Sequence, residues 1–154
     1  MKNLSTEIDY HLAGLAWSLW TELGVAGVVR QHESCLIALE ELIVLTAIIA
    51  DADPRLCDEA LDWCSRYHHF VSISRLKTLI KCFGESVSQP FSAFAATLNS
   101  VSMADWPLET GAIPLKFKPS GKSQPPQCEL PALLSLRLRA LFGVGARADL
   151  ITFF

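Results

Sequence analysis

A chain of 154 residues, 51% hydrophobic and 19% charged, is long enough for one domain with its own core and too apolar to stay disordered. Its net charge of −3 is uneven: residues 1–109 hold 7 Lys/Arg against 14 Asp/Glu (−7), and residues 110–154 hold 6 against 2 (+4). The longest apolar run, Leu42 to Ala50, is about half of a bilayer crossing. Met1-Lys2-Asn3-Leu4 leads straight into Ser5-Thr6-Glu7 rather than into a signal peptide. A cytoplasmic protein with no membrane contact is therefore expected, with Cys35, Cys57, Cys64, Cys82 and Cys128 as reduced and mostly buried thiols, since their number is odd and no CxxC occurs.

In chain order the pattern predicts an all-α fold: one compact domain of six to seven helices with a Pro-rich loop near 100–130. Ser5 or Thr6 suits the N-cap of a first helix that ends at Gly24. Leu12, Leu15, Ala16, Leu19 and Leu23 form its stripe, and Trp17 and Trp20 widen the apolar surface toward a second subunit. A very short strand is expected at Cys35-Leu36-Ile37. The second helix, about Leu39 to Ala50, is apolar nearly all round after Glu40 and Glu41, which marks a central helix. Asp53 as N-cap and Pro54 at the first helical position start a third helix reaching about Tyr67. Asp58, Glu59 and Asp62 fall on its solvated side, with Arg55–Glu59 and Asp62–Arg66 as available pairs.

Ser72 caps a fourth helix ending near Gly84, and Pro90 opens a fifth through Leu98. The core domain thus covers residues 1–100. Residues 101–130 carry five prolines, two glycines and three lysines and read as a loop or linker, with a brief extended piece at Ile113 to Phe117. Residues 131–154 supply two last helices split by Gly143-Val144-Gly145, packing on the core or on a partner subunit. The second of these is too short to stand alone in water, so it needs a facing surface.

Chemistry-bearing patterns are sparse. His68-His69 lacks a third ligand at metal spacing. Gly143-Val144-Gly145 lacks the lysine and preceding strand of a phosphate loop, and no serine sits in a nucleophile elbow. The sequence points to no enzyme, no cofactor and no metal. Two places invite DNA. The helix pair 54–67 and 72–83 loosely follows a helix-turn-helix, with Ser72, Ser74, Arg75, Lys77 and Lys81 outward. The basic tail offers Arg137, Arg139 and Arg147.

Residues 15–23 (LAWSLWTEL), 51–67 (DADPRLCDEALDWCSRY), 91–98 (FSAFAATL) and 136–150 (LRLRALFGVGARADL) resemble the N-terminal helical region of a group of bacterial winged-helix, transcriptional-regulator-like proteins, often encoded near nucleotidyltransferase-type genes. The resemblance implies that a winged-helix module starts near the ARADL segment. This sequence carries its first helix, Ala146 to Phe154, without a recognition helix or wing, so no DNA-reading residue is carried over.

The expected function is non-enzymatic: a helical domain of a regulator-like protein that self-associates as a homodimer or binds a protein partner through Trp17, Trp20, Leu150, Phe153 and Phe154. The alternatives are a DNA binder using the basic C-terminal segment and a small-molecule-sensing pocket among the aromatic helices.

Overall fold

The first helix, α1, spans Leu4–Leu23 and is capped by Asn3, whose side chain accepts from the Ser5 N–H, just upstream of the expected Ser5 or Thr6. A computed structural model describes residues 3–28 and 31–154. It contains seven α-helices and, among the described residues, no strand. The buried line of α1 is Ala13, Ala16, Trp20 and Leu23, rotated from the expected stripe so that Leu15 is exposed. Trp20 causes the rotation: the indole is fully buried, donates to Thr46 Oγ1 at 2.8 Å and meets Trp63 edge-on at 5.6 Å. A side chain of that area dominates the packing of whichever face carries it.

The second helix, α2 (Leu39–Ile48), is the hub, touching α1, α3, α4 and α5. Its apolar circumference requires that position. It stops before Ile49 because Ala52 and Asp53 turn back to donate to the Ile49 carbonyl. Asp53 then caps α3 (Pro54–Tyr67), accepting from the Leu56 N–H at 3.0 Å. A 3-10 turn, His68–Phe70, leads to Ser72, the cap of α4 (Ile73–Phe83).

Helix α5 (Glu85–Val101) begins five residues before the expected Pro90, which lies inside it. The proline deletes only the bond to the Ser86 carbonyl. The turn before it is held by buried Val87 and by Ser88, whose hydroxyl meets Glu109 Oε1. Phe91, Phe94, Ala95 and Leu98 are then fully buried. At about 1.5–3 kcal/mol for each large side chain, that burial exceeds the cost of one missing bond.

Residues 102–130 form neither helix nor strand, yet they are strapped across the core rather than hanging free. Trp106 lies flat against Phe91 and Phe94, with centroids at 6.2 and 6.3 Å, and Asn99 grips its backbone through both an N–H and a carbonyl at 3.0 Å. Further on, Ser92 Oγ accepts from the Glu109 N–H and Thr97 Oγ1 from the Leu115 N–H. Asp62 takes the far end. It was expected on the solvated side of α3 but has no exposed surface, because its carboxylate accepts from the Gly121 N–H at 3.0 Å and the Ser123 N–H at 3.3 Å. Arg66 bonds the Ser123 carbonyl. The strap closes on α1, where the Gln124 N–H donates to the Gly24 carbonyl at 2.8 Å.

A 3-10 turn at Pro131–Leu133 opens α6 (Leu134–Phe142), and α7 (Ala146–Phe153) packs back along it. In place of the expected strand at 35–37, the Ile37 N–H makes a single bond to the Ala132 carbonyl at 2.9 Å. Of the thiols, Cys57 and Cys64 are buried, Cys128 is half-buried, and Cys35 and Cys82 are exposed. Burial pushes the Cys57 thiol up to about 12, with the charges of Asp58 and Asp51 adding to the effect, so it is inert at neutral pH. No helix among the described residues is long and apolar enough to cross a membrane.

Two predictions follow from the strap. Gly24 has φ +109°, and a Cβ there would lie 2.2 Å from the Gln124 carbonyl oxygen. Gly24→Ala is expected to destabilise by about 2 kcal/mol or more in a urea titration, since left-handed backbone alone costs roughly 1–2 kcal/mol. For Asp62, burial raises the pKa, but the Gly121 and Ser123 N–H groups and Arg66 together outweigh it and hold the carboxyl below its ordinary value. A depressed folded pKa gives stability that is present above the unfolded value of about 3.9 and lost as pH falls through the folded one. Urea midpoints measured downward from pH 5 should therefore fall less steeply in Asp62→Asn than in the native chain.

Candidate interaction surface

Helix α6 carries leucines at helical spacing, and its buried side holds Leu136 and then Arg139. The arginine therefore enters the body of the domain, where an unpaired charge costs several kcal/mol. Its guanidinium makes four hydrogen bonds to three groups. Nη1 donates to Glu40 Oε1 at 2.6 Å and to the Phe70 carbonyl at 2.9 Å, while Nη2 donates to Glu40 Oε2 at 3.3 Å and Asp149 Oδ1 at 3.2 Å. Glu40, itself 1% exposed, also accepts the Ser72 N–H at 2.7 Å, so it braces the start of α4 as well. Arg75 sits beside this pair, bound to Glu41 and 3.8 Å from Glu40 Oε2.

Burial opposes the charge on Arg139, but Glu40 and Asp149 outweigh it and leave the guanidinium harder to deprotonate than a free one. For Arg75 the bond to Glu41 is the largest influence, in the same direction. The result is one charged knot tying α2, α4, α6 and α7 together.

The hairpin of α6 and α7 is thus inside out. Arg139 and Asp149 face the body, while several of its large apolar side chains are open to water: Leu141 is 70% exposed, Leu150 59%, Phe153 83%, and Phe142 and Ile151 are also open. Only Ala148 of α7 is buried. The bend between the helices, Gly143 with φ +81° and then Gly145, has open space around both glycines. Residues 140–146 and 150–154 contain no charged side chain.

The residues expected at a subunit interface separate into two groups. Leu150, Phe153 and Phe154 are exposed on α7 and beside its end, as a docking face requires. Trp20 is a core residue and is not available to a partner. Trp17 is half-buried, donates to Asp53 Oδ2 at 2.7 Å and lies under the Arg55 guanidinium at 5.5 Å. It walls an open groove of about 1030 Å³ along α1. In that groove His32 Nε2 is 3.1 Å from Ser18 Oγ, but the Ser18 hydroxyl donates to the Leu15 carbonyl, so the contact fastens a loop rather than activating a nucleophile.

The residues expected to touch nucleic acid separate likewise. Arg139 cannot reach a phosphate, being 6% exposed and bound to Glu40. Arg137 is half-buried and Arg147 exposed. Arg75, expected on an outward recognition face, is held by Glu41. Sequence reasoning missed Glu40 and Asp149 as anchors. The available signal was that Leu133, Leu136 and Arg139 share one 3-residue spacing, which puts the arginine on the buried stripe.

No protein-family model, curated protein or solved structure matches the chain.

Removing one partner of the knot should be far worse than removing both. Arg139→Leu leaves the buried Glu40 with only the Ser72 N–H and the more distant Arg75 and is expected to cost about 3 kcal/mol in chemical denaturation. The double variant Glu40→Leu/Arg139→Leu should recover most of that loss.

Proposed function

We propose that this chain is a non-enzymatic helical domain that pairs with a second copy of itself through the outer face of α6 and α7. The single observation that carries this reading is the inversion of the hairpin. A helix pair serving only to complete its own core turns leucine and phenylalanine inward and charge outward. Here Arg139 and Asp149 point into the body while Phe142, Leu150 and Phe153 meet water.

A second copy fits this surface better than a charged partner does. The two uncharged stretches at 140–146 and 150–154 offer nothing for a highly charged surface to recognise, and apolar faces are self-complementary without any match of sign. Closed twofold pairing is also the commonest way in which such faces are covered. The glycine bend brings both helices to one side of the molecule, so a single contact can cover them together. Assignment of the domain to a regulator-like protein rests on the sequence resemblance. It gives the pairing a purpose, since dimeric regulators place two DNA-reading modules at a fixed spacing.

Sedimentation equilibrium at micromolar concentration tests the pairing. The native chain should behave as a dimer, and a strict monomer removes the proposal. Phe142→Glu with Leu150→Glu, both at exposed positions, should leave the melting temperature of the monomer nearly unchanged. Loss of two buried apolar side chains should weaken association at least roughly 10-fold.

A further inference from the structure

Residues 113–124, the second leg of the strap, cross from α5 over α3 to the end of α1, without a turn or bend before Gly121. We propose that the face beneath them is a docking groove for an extended, lysine-bearing segment of a partner protein, and that the strap plugs this groove from within the chain.

The face holds the segment by its main chain. Thr97 Oγ1 accepts from the Leu115 N–H at 2.8 Å, Asp62 from the Gly121 and Ser123 N–H groups, and the Gly24 carbonyl from the Gln124 N–H. Arg66 donates to the Ser123 carbonyl at 3.2 Å. Bonds to a main chain are open to another segment of the same shape, and in peptide recognition they supply affinity while alternate side chains supply specificity.

The side chains say which segment fits. Leu115 and Phe117 are half-buried against the core, whereas Lys116, Lys118 and Lys122 are exposed. Residues 113–124 hold these three lysines and no acid (+3), against −7 for residues 1–109. A cationic segment is therefore drawn to this face and an acidic one repelled. Gly121 has φ +70°, and a Cβ there would lie 3.4 Å from Arg66 Nη2, so the occupant needs a glycine at that place. The partner chemistry is thus a pair of apolar residues alternating with lysines, followed by a glycine four positions after the second apolar one.

The plug is also removable. Ser123 is the only buried residue in this leg, while Trp106 pins the first leg against Phe91 and Phe94, so the second can lift without opening the aromatic core. Its tether gives the plug an effective concentration on the order of millimolar, which shuts out a free segment of similar affinity until the plug is loosened.

The test titrates a fluorescein-labelled peptide of residues 112–125 into the full chain and reads anisotropy. The Phe142→Glu/Leu150→Glu variant serves as background, so the result is independent of pairing through α6 and α7. Leu115→Ala/Phe117→Ala loosens the plug and leaves the face beneath intact. It is expected to bind the peptide at least tenfold more tightly than the chain with its native strap. Adding Asp62→Asn should weaken that binding several-fold. Peptides carrying Lys116→Glu, Lys118→Glu and Lys122→Glu together, or Gly121→Val alone, should bind at least tenfold more weakly. If circular dichroism shows the double alanine variant unfolded, Phe117→Ala alone takes its place. The proposal is overturned by absence of saturable binding to the loosened chain, by equal binding to native and loosened chains, or by equal affinity of the glutamate peptide. Dissociation of the native dimer by the peptide would make a second copy the occupant and overturn the assignment to a separate partner.

Discussion

The contact between Glu40 and Arg139 is the constraint from which the C-terminal third of the molecule takes its position. Neither group has meaningful access to water, so each is tolerable only in the presence of the other. Such a pair adds little net stability compared with a well-packed apolar substitute. What it adds is uniqueness of arrangement. A guanidinium held by a carboxylate, a backbone carbonyl and Asp149 has one satisfied position, and it fixes the same rotation of α6 as the buried Leu133 and Leu136.

That single arrangement gives the outer face of α6 and α7 its character. The knot consumes Arg139 and Asp149 on the inner side of the hairpin, and Leu141, Phe142 and Leu150 are left open to water. Anchoring by charge inside and presentation of grease outside are thus two results of one sequence choice. The glycine bend at 143–145 keeps both helices on the same side of the domain.

Much of the fold was legible from local rules. Gly24, Asp53-Pro54 and Ser72 mark helix ends through backbone geometry that neighbouring residues settle, and the structure places the ends there. The all-apolar run of α2 announced a central helix for the same reason. Features fixed by distant residues were not legible. Asp62 reads as a surface carboxylate until the backbone of Gly121 and Ser123 arrives about sixty residues later, and Arg139 reads as a surface cation until Glu40 meets it from about a hundred residues earlier. Trp20 shows a third limit. Helical spacing offers several adjacent stripes, and the one that wins is chosen by the shape of the opposing surface. Pro90 shows that a local breaker yields when its missing bond is single and its neighbours are deeply buried.

The strap over residues 102–130 also bears on how the chain reaches this structure. Its last tie joins Gln124 to Gly24, a separation of about 100 residues, so closure of that loop carries a large entropy and comes after the local helices have formed. In the native protein the same ties can let go together while α1 to α5 stay folded, making the strap a cooperative unit of partial opening. Amide protons at Gly121, Ser123 and Gln124 then report one shared opening free energy, well below that of the helical core.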